Sequence, residues 1–423
     1  MQKSLSQSES CVQGWRFSSC ESKTLGVYAE EDMRIWFAFL LLCPLAAWSQ
    51  WNYTTISSAT DGHIASRTVN GVYRRYVVHR NASNALVVRK KFGAQETISQ
   101  VWANIFPSRT HVTVGPSGVA VISFWSVNRF RLAIETAVNG GNCGSSLEWR
   151  CIDVPFPANT GSQGAVSNTV VGMADSSGRV HVFYKLVKAG LAPGPSAADD
   201  MYYTRRESNG SFVSPFRAGT TALQLSPQRI DIFTGQATSK LFLVANGGPT
   251  QWAHRFEGGL TETQSQGFKD WRVYGSANPS PGSVFYDADG TTPNPGNVHC
   301  VARRKAYSNG TVRDEIVLTE GFHPSFGGER NVHGDGSLDA PLADVCSIVL
   351  LPANSMPGIA FATTGGAILY GTFTSLSNPL IDATVSTVDD SSLFIRPVIV
   401  LGDGNKPLVM YQGAGFLKLA QQQ

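Results

Sequence analysis

Trp51-Asn52-Tyr53-Thr54-Thr55-Ile56 reads as one β-strand led by a tryptophan, and at the far end of the chain Phe416-Leu417-Lys418-Leu419-Ala420 reads as the third strand of a unit with no fourth. Elsewhere a fourth strand opens on tryptophan, as in Trp149-Arg150-Cys151-Ile152 and Trp271-Arg272-Val273-Tyr274. The opening segment has the form of the strand missing at the end. A ring whose last sheet is completed by its first strand leaves no open edge between its two ends.

Between these ends apolar residues rarely recur at helical spacing. Short runs of Val, Ile, Phe and Tyr bounded by Gly, Asn, Asp and Pro predict an all-β chain. One strand pair recurs. Tyr73 to His79 pairs with Leu86 to Lys90, Val119 to Trp125 with Phe130 to Glu135, and Val180 to Leu186 with Met201 to Arg206. Leu241 to Ala245 pairs with Gln251 to Phe256, Val298 to Arg303 with Arg313 to Thr319, Gly358 to Ala362 with Ala367 to Phe373, and Leu408 to Tyr411 with Phe416 to Ala420. The first strands begin 46 to 61 residues apart, near the about 40–50 residues of a propeller blade plus loops. Glycine turns such as Gly115-Pro116-Ser117-Gly118, Asp175-Ser176-Ser177-Gly178, Asp287-Ala288-Asp289-Gly290 and Gly402-Asp403-Gly404-Asn405 precede several pairs, and each follows another apolar strand (Val284 to Tyr286 in the third case). The expectation is a seven-bladed β-propeller closed by the N-terminal strand; six or eight blades fit the variable spacing too. Two stacked sandwiches would show a central linker, but Ala189 to Asp200 (AGLAPGPSAADD) falls inside a strand pair and reads as a loop insertion.

Repeats such as Asp175-Ser176-Ser177-Gly178-Arg179-Val180-His181-Val182-Phe183-Tyr184 with Met201-Tyr202-Tyr203-Thr204-Arg205-Arg206 resemble those of secreted propellers of the BNR/sialidase-like and propeller-lectin superfamilies. Gly404 to Tyr411 with Leu417 to Ala420 is similar. The resemblance spans most of residues 50 to 423 and implies a fold more than a function.

The 423 residues carry 34 Lys+Arg against 31 Asp+Glu, with no basic run of the kind nucleic-acid binding requires. Ile35 to Trp48 (IWFAFLLLCPLAAW) follows Met33-Arg34 and precedes Ser49. It reads as a signal peptide cut after Ser49, being shorter than the roughly 20 apolar residues of a spanning helix. Residues 1 to 32 then form a non-native upstream extension with Met33 as initiator, 33 to 49 the signal, and 50 to 423 one propeller domain without a transmembrane segment. Secretion makes two demands. Four cysteines remain after the cut, an even number. Of the three pairings they allow, the short loop favours Cys143 with Cys151, and Cys300 then pairs with Cys346. Acceptor sequons for N-glycosylation occur at Asn52, Asn81, Asn209 and Asn309.

Catalysis finds little support. The Ser-x-Asp-x-Gly-x-Thr-Trp boxes that sialidases share are absent, and Arg74, Arg75, Arg80, Arg129, Arg205, Arg206, Arg303 and Arg304 fit strand surfaces whose stems cover apolar area. The aspartates available for a two-carboxylate glycosidase are Asp175, Asp287, Asp289, Asp344, Asp389, Asp390 and Asp403, most of them in glycine-containing turns where Asp caps the backbone. The eight histidines show no zinc spacing, and no metal or cofactor is expected. These features weigh against an enzyme without deciding the matter. What is left is a binding surface. If strands 2 and 3 meet at the ligand-facing end, Arg80, Trp125, Tyr184, Trp252, Arg303 and Tyr411 gather there, and aromatic faces beside polar groups suit sugars. Against this, Trp and Tyr at matching positions also fill the space between blades. The expected partner is an extracellular glycan or glycoprotein, bound in a lectin-like manner. The alternatives are a sialidase-like or other glycoside hydrolase and a protein-interaction propeller of cell surface or matrix.

Overall fold

The computed structural model describes residues 50–56, 59–157, 170–186 and 200–217, strand segments between 230 and 344, and most of 345–423. All belong to the second of the chain's two units, Ser49–Gln423. The described residues form seven four-stranded antiparallel sheets.

Sheet 1 holds β2 (Thr60–Val69), β3 (Val72–Arg80), β4 (Leu86–Phe92) and β5 (Gln95–Trp102). Sheet 2 holds β6 (Ser108–Val114), β7 (Ala120–Ser126), β8 (Arg129–Glu135) and β9 (Trp149–Asp153). Sheet 3 holds β10 (Val170–Ala174), β11 (Val180–Leu186), β12 (Asp200–Arg206) and β13 (Phe216–Arg217). Sheet 4 runs β14 (Ile230–Thr234), β15 (Leu241–Gly247), β16 (Thr250–Phe256) and β17 (Trp271–Gly275). Sheet 5 runs β18 (Pro279–Ser280), β19 (Val298–Ala306), β20 (Val312–Phe322) and β21 (Ser325–His333). Sheet 6 runs β22 (Leu342–Leu351), β23 (Met356–Thr363), β24 (Ile368–Thr372) and β25 (Thr384–Asp389). Sheet 7 runs β26 (Phe394–Leu401), β27 (Pro407–Gly413), β28 (Phe416–Gln422) and, outermost, β1 (Trp51–Ile56).

Each of the seven expected strand pairs is hydrogen-bonded, and every Trp-led segment is the outermost strand of its sheet. β1 pairs with β28 from Trp51↔Gln422 to Ile56↔Leu417, so the first strand of this unit and its last share one sheet. The expected strand Val284 to Tyr286 lies outside the described residues; the inner strand observed in sheet 5 is Pro279–Ser280.

Chemistry at the turns sets this register. Asn70-Gly71 joins β2 to β3 as a two-residue turn with both φ values positive, 50° and 76°, which asparagine and glycine tolerate and which matches the twist of paired strands. Gly115 fails to tolerate a side chain for another reason: a Cβ there would stand 2.1 Å from the carbonyl oxygen of Ala174 in sheet 3. Strands between two sheets lose their polar alternation. β7 (AVISFWS) is buried at every residue because both of its faces are covered.

Neighbouring sheets interlock through a repeated aromatic on strand 2. Phe124, Tyr184 and Tyr411 stand at the same offset from Gly115, Asp175 and Gly402, and each reaches the outer-strand side of the preceding sheet. Phe124 meets Trp102 of β5 edge-on at 5.9 Å. The Tyr184 hydroxyl donates to the Pro155 carbonyl at 3.0 Å, and that of Tyr411 to Asp389 Oδ2 at 2.8 Å. Inner strands are stitched by hydroxyls. Ser66 Oγ donates to the Leu401 carbonyl and Thr113 Oγ1 to the Gly172 carbonyl, both at 2.6 Å; Thr110 Oγ1 donates to the Asp61 carbonyl. Ser347 Oγ accepts from the Ile399 amide at 3.2 Å. Contacts between sheets follow in order: β2 with β6, β6 with β10, β10 with β14, β17 with β20, β19 with β22, β22 with β26, and β26 with β2.

Candidate functional site

The register brings all six sequence-predicted binding residues toward one end of their sheets, where strand 2 turns into strand 3. The pairs are Arg80↔Leu86, Trp125↔Phe130, Tyr184↔Tyr202, Ala245↔Trp252, Arg303↔Glu315 and Tyr411↔Lys418. Their surroundings differ. Arg80 is half-buried at the tip of β3. Trp125 is 9% exposed and packs edge-on against Phe130 at 4.8 Å. Tyr184 is fully buried between Phe130 and Tyr202, and Tyr411 is equally buried against sheet 6. Burial pushes both phenols above their usual range; the Asp389 carboxylate adds to this for Tyr411, and neighbouring Tyr202 for Tyr184. These two rings thus pack between sheets. Trp252 and Arg303 are placed by backbone only.

The same end carries a feature that strand patterning missed. Four inner strands skip register there: between Thr60 and His63, Ser108 and His111, Leu342 and Cys346, and Ile395 and Val398. Each bulge contains a charged residue, namely Asp61, Arg109, Asp344 and Arg396. A bulge re-aims side chains at a sheet end, and Asp61 and Arg109 both sit at φ 51°. Arg109 is exposed and Asp61 half-buried. The dipeptides Asp61-Gly62 and Arg396-Pro397 were the available signal, since Gly and Pro within a strand mark bulges. Beside them, Phe106 and Val127 are exposed at positive φ, and the His63 and His111 rings lie 4.1 Å apart on adjacent inner strands.

Asp175, Asp389 and Asp403 are engaged with the protein itself. Asp175 Oδ1 accepts from the amides of Ser177 (2.8 Å) and Arg179 (3.0 Å), while Oδ2 accepts from Arg179 Nε (2.7 Å) and pairs with His181 Nε2 (3.1 Å). Burial acts to raise its pKa, but the bonds from His181 and Arg179 outweigh burial and hold the carboxyl well below the usual range. His181 is fully buried, its other ring nitrogen lies 2.9 Å from the Tyr203 hydroxyl, and burial lowers its pKa despite Asp175. A cap, an imidazole and a phenol thus tie the first three strands of sheet 3. Asp389 is buried under Tyr411 and Lys418, and Asp403 pairs with Lys91; Asp390 is exposed. Asp287 and Asp289 lie outside the described residues. A tyrosine–carboxylate contact also joins sheets 1 and 2, where the Tyr76 hydroxyl donates to Glu135 Oε2 at 2.5 Å. Tyr76 is fully buried, and burial with the adjacent Glu135 pushes its pKa far up, so the phenol is a poor nucleophile for a substrate arriving from solvent. This chemistry pins sheets together.

Cys143 and Cys151 form a disulfide. Cys346 is fully buried and also disulfide-bonded, while the side chain of Cys300 lies outside the described residues. Among the sequons, Asn52 and Asn209 are exposed, Asn81 is half-exposed in the β3–β4 turn, and Asn309 lies outside the described residues. No helix among the described residues is long and apolar enough to cross a membrane.

No protein-family model matches the chain, and no curated protein matches it in sequence. Solved structures similar to it include AofleA from Arthrobotrys oligospora, at 9% identity over 81% of this chain and 90% of that one, with a TM-score of 0.44. A lectin from Aleuria aurantia, described as a six-bladed β-propeller with a fucose recognition mode, is 11% identical over 80% of this chain and 99% of its own, with a TM-score of 0.43. BBS1N in complex with ARL6DN is 11% identical over 89% and 98%, with a TM-score of 0.45. The architecture described above stands on strand register alone.

Proposed function

We propose that residues 50–423 close into a seven-bladed β-propeller that is secreted after cleavage at Ser49 and binds a glycan at the end where strand 2 turns into strand 3. What supports the ring is the cyclic order of sheet contacts together with the β1–β28 pairing. The observation that carries the binding end is the set of four inner-strand bulges, whose charged positions Asp61, Arg109, Asp344 and Arg396 fall at the same end of their sheets as positions Arg80, Trp125, Trp252 and Arg303. A sugar offers hydroxyls to such guanidinium and carboxylate groups and an apolar C–H face to an aromatic edge. Tyr184 and Tyr411 support this end from beneath. The Cys143–Cys151 disulfide fits an oxidising compartment. Cys300 is assigned as the partner of Cys346, because β19 and β22 are neighbours and the short-loop pair is already made.

The test is glycan-array binding by protein expressed from Met33, alongside hydrolysis panels of fluorogenic sialosides and glycosides. Binding without turnover, reduced at least tenfold in R109A and D61A variants that keep the wild-type melting temperature, is the expected result. Turnover would overturn the lectin-like reading in favour of a hydrolase, and silence in both would favour a protein partner. N-terminal sequencing of the secreted protein checks the cut after Ser49.

A further inference from the structure

Phe106 is in an unfavourable place twice over. Its backbone sits at φ 51°, uncommon for a bulky residue, and its ring is 55% exposed. Among the described residues no other ring packs on it. Strain of this kind persists where surrounding contacts over-determine it, and here the contact is with one particular turn. The amides of Ile105 and Phe106 both donate to the carbonyl of Asn84, at 3.1 and 3.0 Å, so Phe106 is fastened to the turn that joins β3 to β4.

That turn is the sequon Asn81-Ala82-Ser83. Its geometry presents the asparagine. The Asn81 amide donates to the Ala85 carbonyl at 3.1 Å, the Ala85 amide returns a bond to Asn81 Oδ1 at 2.9 Å, and the Asn84 amide donates to the Asn81 carbonyl at 3.0 Å. Oδ1 is thereby fixed against the chain, while Nδ2, the atom that glycosylation modifies, makes no hydrogen bond to the described residues. Ala82 and Ser83 are exposed.

We propose that Asn81 carries an N-linked glycan whose first N-acetylglucosamine lies across the ring of Phe106. The pyranose covers the ring with its C–H face, which removes exposed aromatic surface from water and orders the glycan stem. The inference rests on the secretory reading and is independent of which external ligand the protein binds. Asn209 supplies an internal control. Its Oδ1 is held by the Ser211 amide (2.9 Å) and hydroxyl (2.7 Å) in an exposed turn, but the nearby Phe212 is half-buried and bridged to Arg206.

The experiment uses full-length secreted protein from glycosylating cells, with glycopeptide mapping, thermal melting, and the rate at which an amidase releases each glycan from the native fold. S83A removes the sequon without touching Asn81; F106A removes the ring and F106Y keeps it. Expected are an occupied Asn81, slower native release at Asn81 than at Asn209, and a melting temperature about 2 °C lower for S83A in the wild-type and F106Y backgrounds but unchanged in F106A. Asn81 unoccupied while Asn209 is occupied overturns the proposal. All sequons unoccupied would sink the secretory reading as well. Equal release rates at the two sites, or an S83A effect of the same size in both F106A and wild type, overturns the ring contact, and the release measurement needs no variant to fold.

Discussion

Two junctions between neighbouring sheets use a tyrosine, a lysine and carboxylate chemistry, but distribute them differently. Where sheet 6 meets sheet 7, Tyr411 and Lys418 converge on a single oxygen, Asp389 Oδ2, at 2.8 and 2.9 Å. Where sheet 1 meets sheet 2, two carboxylates share the work. Glu135 accepts from Tyr76 at 2.5 Å and lies 3.5 Å from Lys90, while Glu148 takes Lys90 at 2.6 Å and the Ser99 hydroxyl at 3.1 Å. The first junction concentrates its polar contacts and the second duplicates them. The reason lies in the chain. Asp389 ends β25, whereas Glu148 comes from the 136–148 loop, closed against β9 by the Cys143–Cys151 disulfide. Sheet 7 also depends on a strand from the far end of the sequence, and Tyr53 of that strand donates to the Val388 carbonyl at 2.7 Å.

The most severe way to break the comparison is to delete residues 50–56. This strips β1 from β28 and removes buried Trp51 and Ile56. Two large apolar side chains and a ladder of hydrogen bonds amount to roughly 5–8 kcal/mol, comparable to the whole stability of many domains. The expected outcome is aggregated or unfolded protein by gel filtration and circular dichroism; a cooperative melt near that of wild type would show that the junction closes without β1.

A smaller cut discriminates more sharply. D389A removes the oxygen on which Tyr411 and Lys418 converge and should cost about 3 kcal/mol by urea unfolding. At the duplicated junction, C143S opens the loop that carries Glu148 and should cost roughly 2–2.5 kcal/mol, mostly through the freedom regained by the unfolded chain. If C143S proved more harmful than D389A, the closed loop would matter more to the junction of sheets 1 and 2 than the single shared carboxylate does to that of sheets 6 and 7.

How much of this was legible in the sequence follows the same division. Strand pairs such as Val119 to Trp125 with Phe130 to Glu135 could be read because covered strands become continuous apolar runs between glycine turns. The pairing of β1 with the last strand could be read because Trp51 leads it as Trp149 and Trp271 lead theirs. By contrast, β2 (TDGHIASRTV) and β5 (QETISQVW) carry too few apolar residues to announce themselves, and β5 is largely exposed. The polar junctions were hidden for a different reason. Tyr76, Lys90, Glu135 and Glu148 share no spacing rule and meet only through the register of two separate sheets. The inner-strand bulges are irregularities that a periodic pattern averages away, although Asp61-Gly62 marked one of them.

The mildest prediction tests the duplication itself. E148A should cost only about 1 kcal/mol near neutral pH, because Glu135 remains within reach of the Lys90 ammonium. The two junction variants should then separate in acid. Burial works to raise the Glu148 pKa, but the bonds from Lys90 and Ser99 prevail and hold it below the usual carboxylate range. A carboxyl that binds its proton less readily folded than unfolded adds stability above its unfolded pKa, near 4.3, and that contribution disappears as pH falls through the lower folded value. Wild type should therefore lose stability on acidification below about pH 4.5 more steeply than E148A, with the difference between them shrinking toward pH 2. Urea midpoints at pH 7, 4 and 2.5 measure it. A gap that stayed constant across this range would mean that Glu148 stabilises the junction by packing against Lys90 rather than by charge.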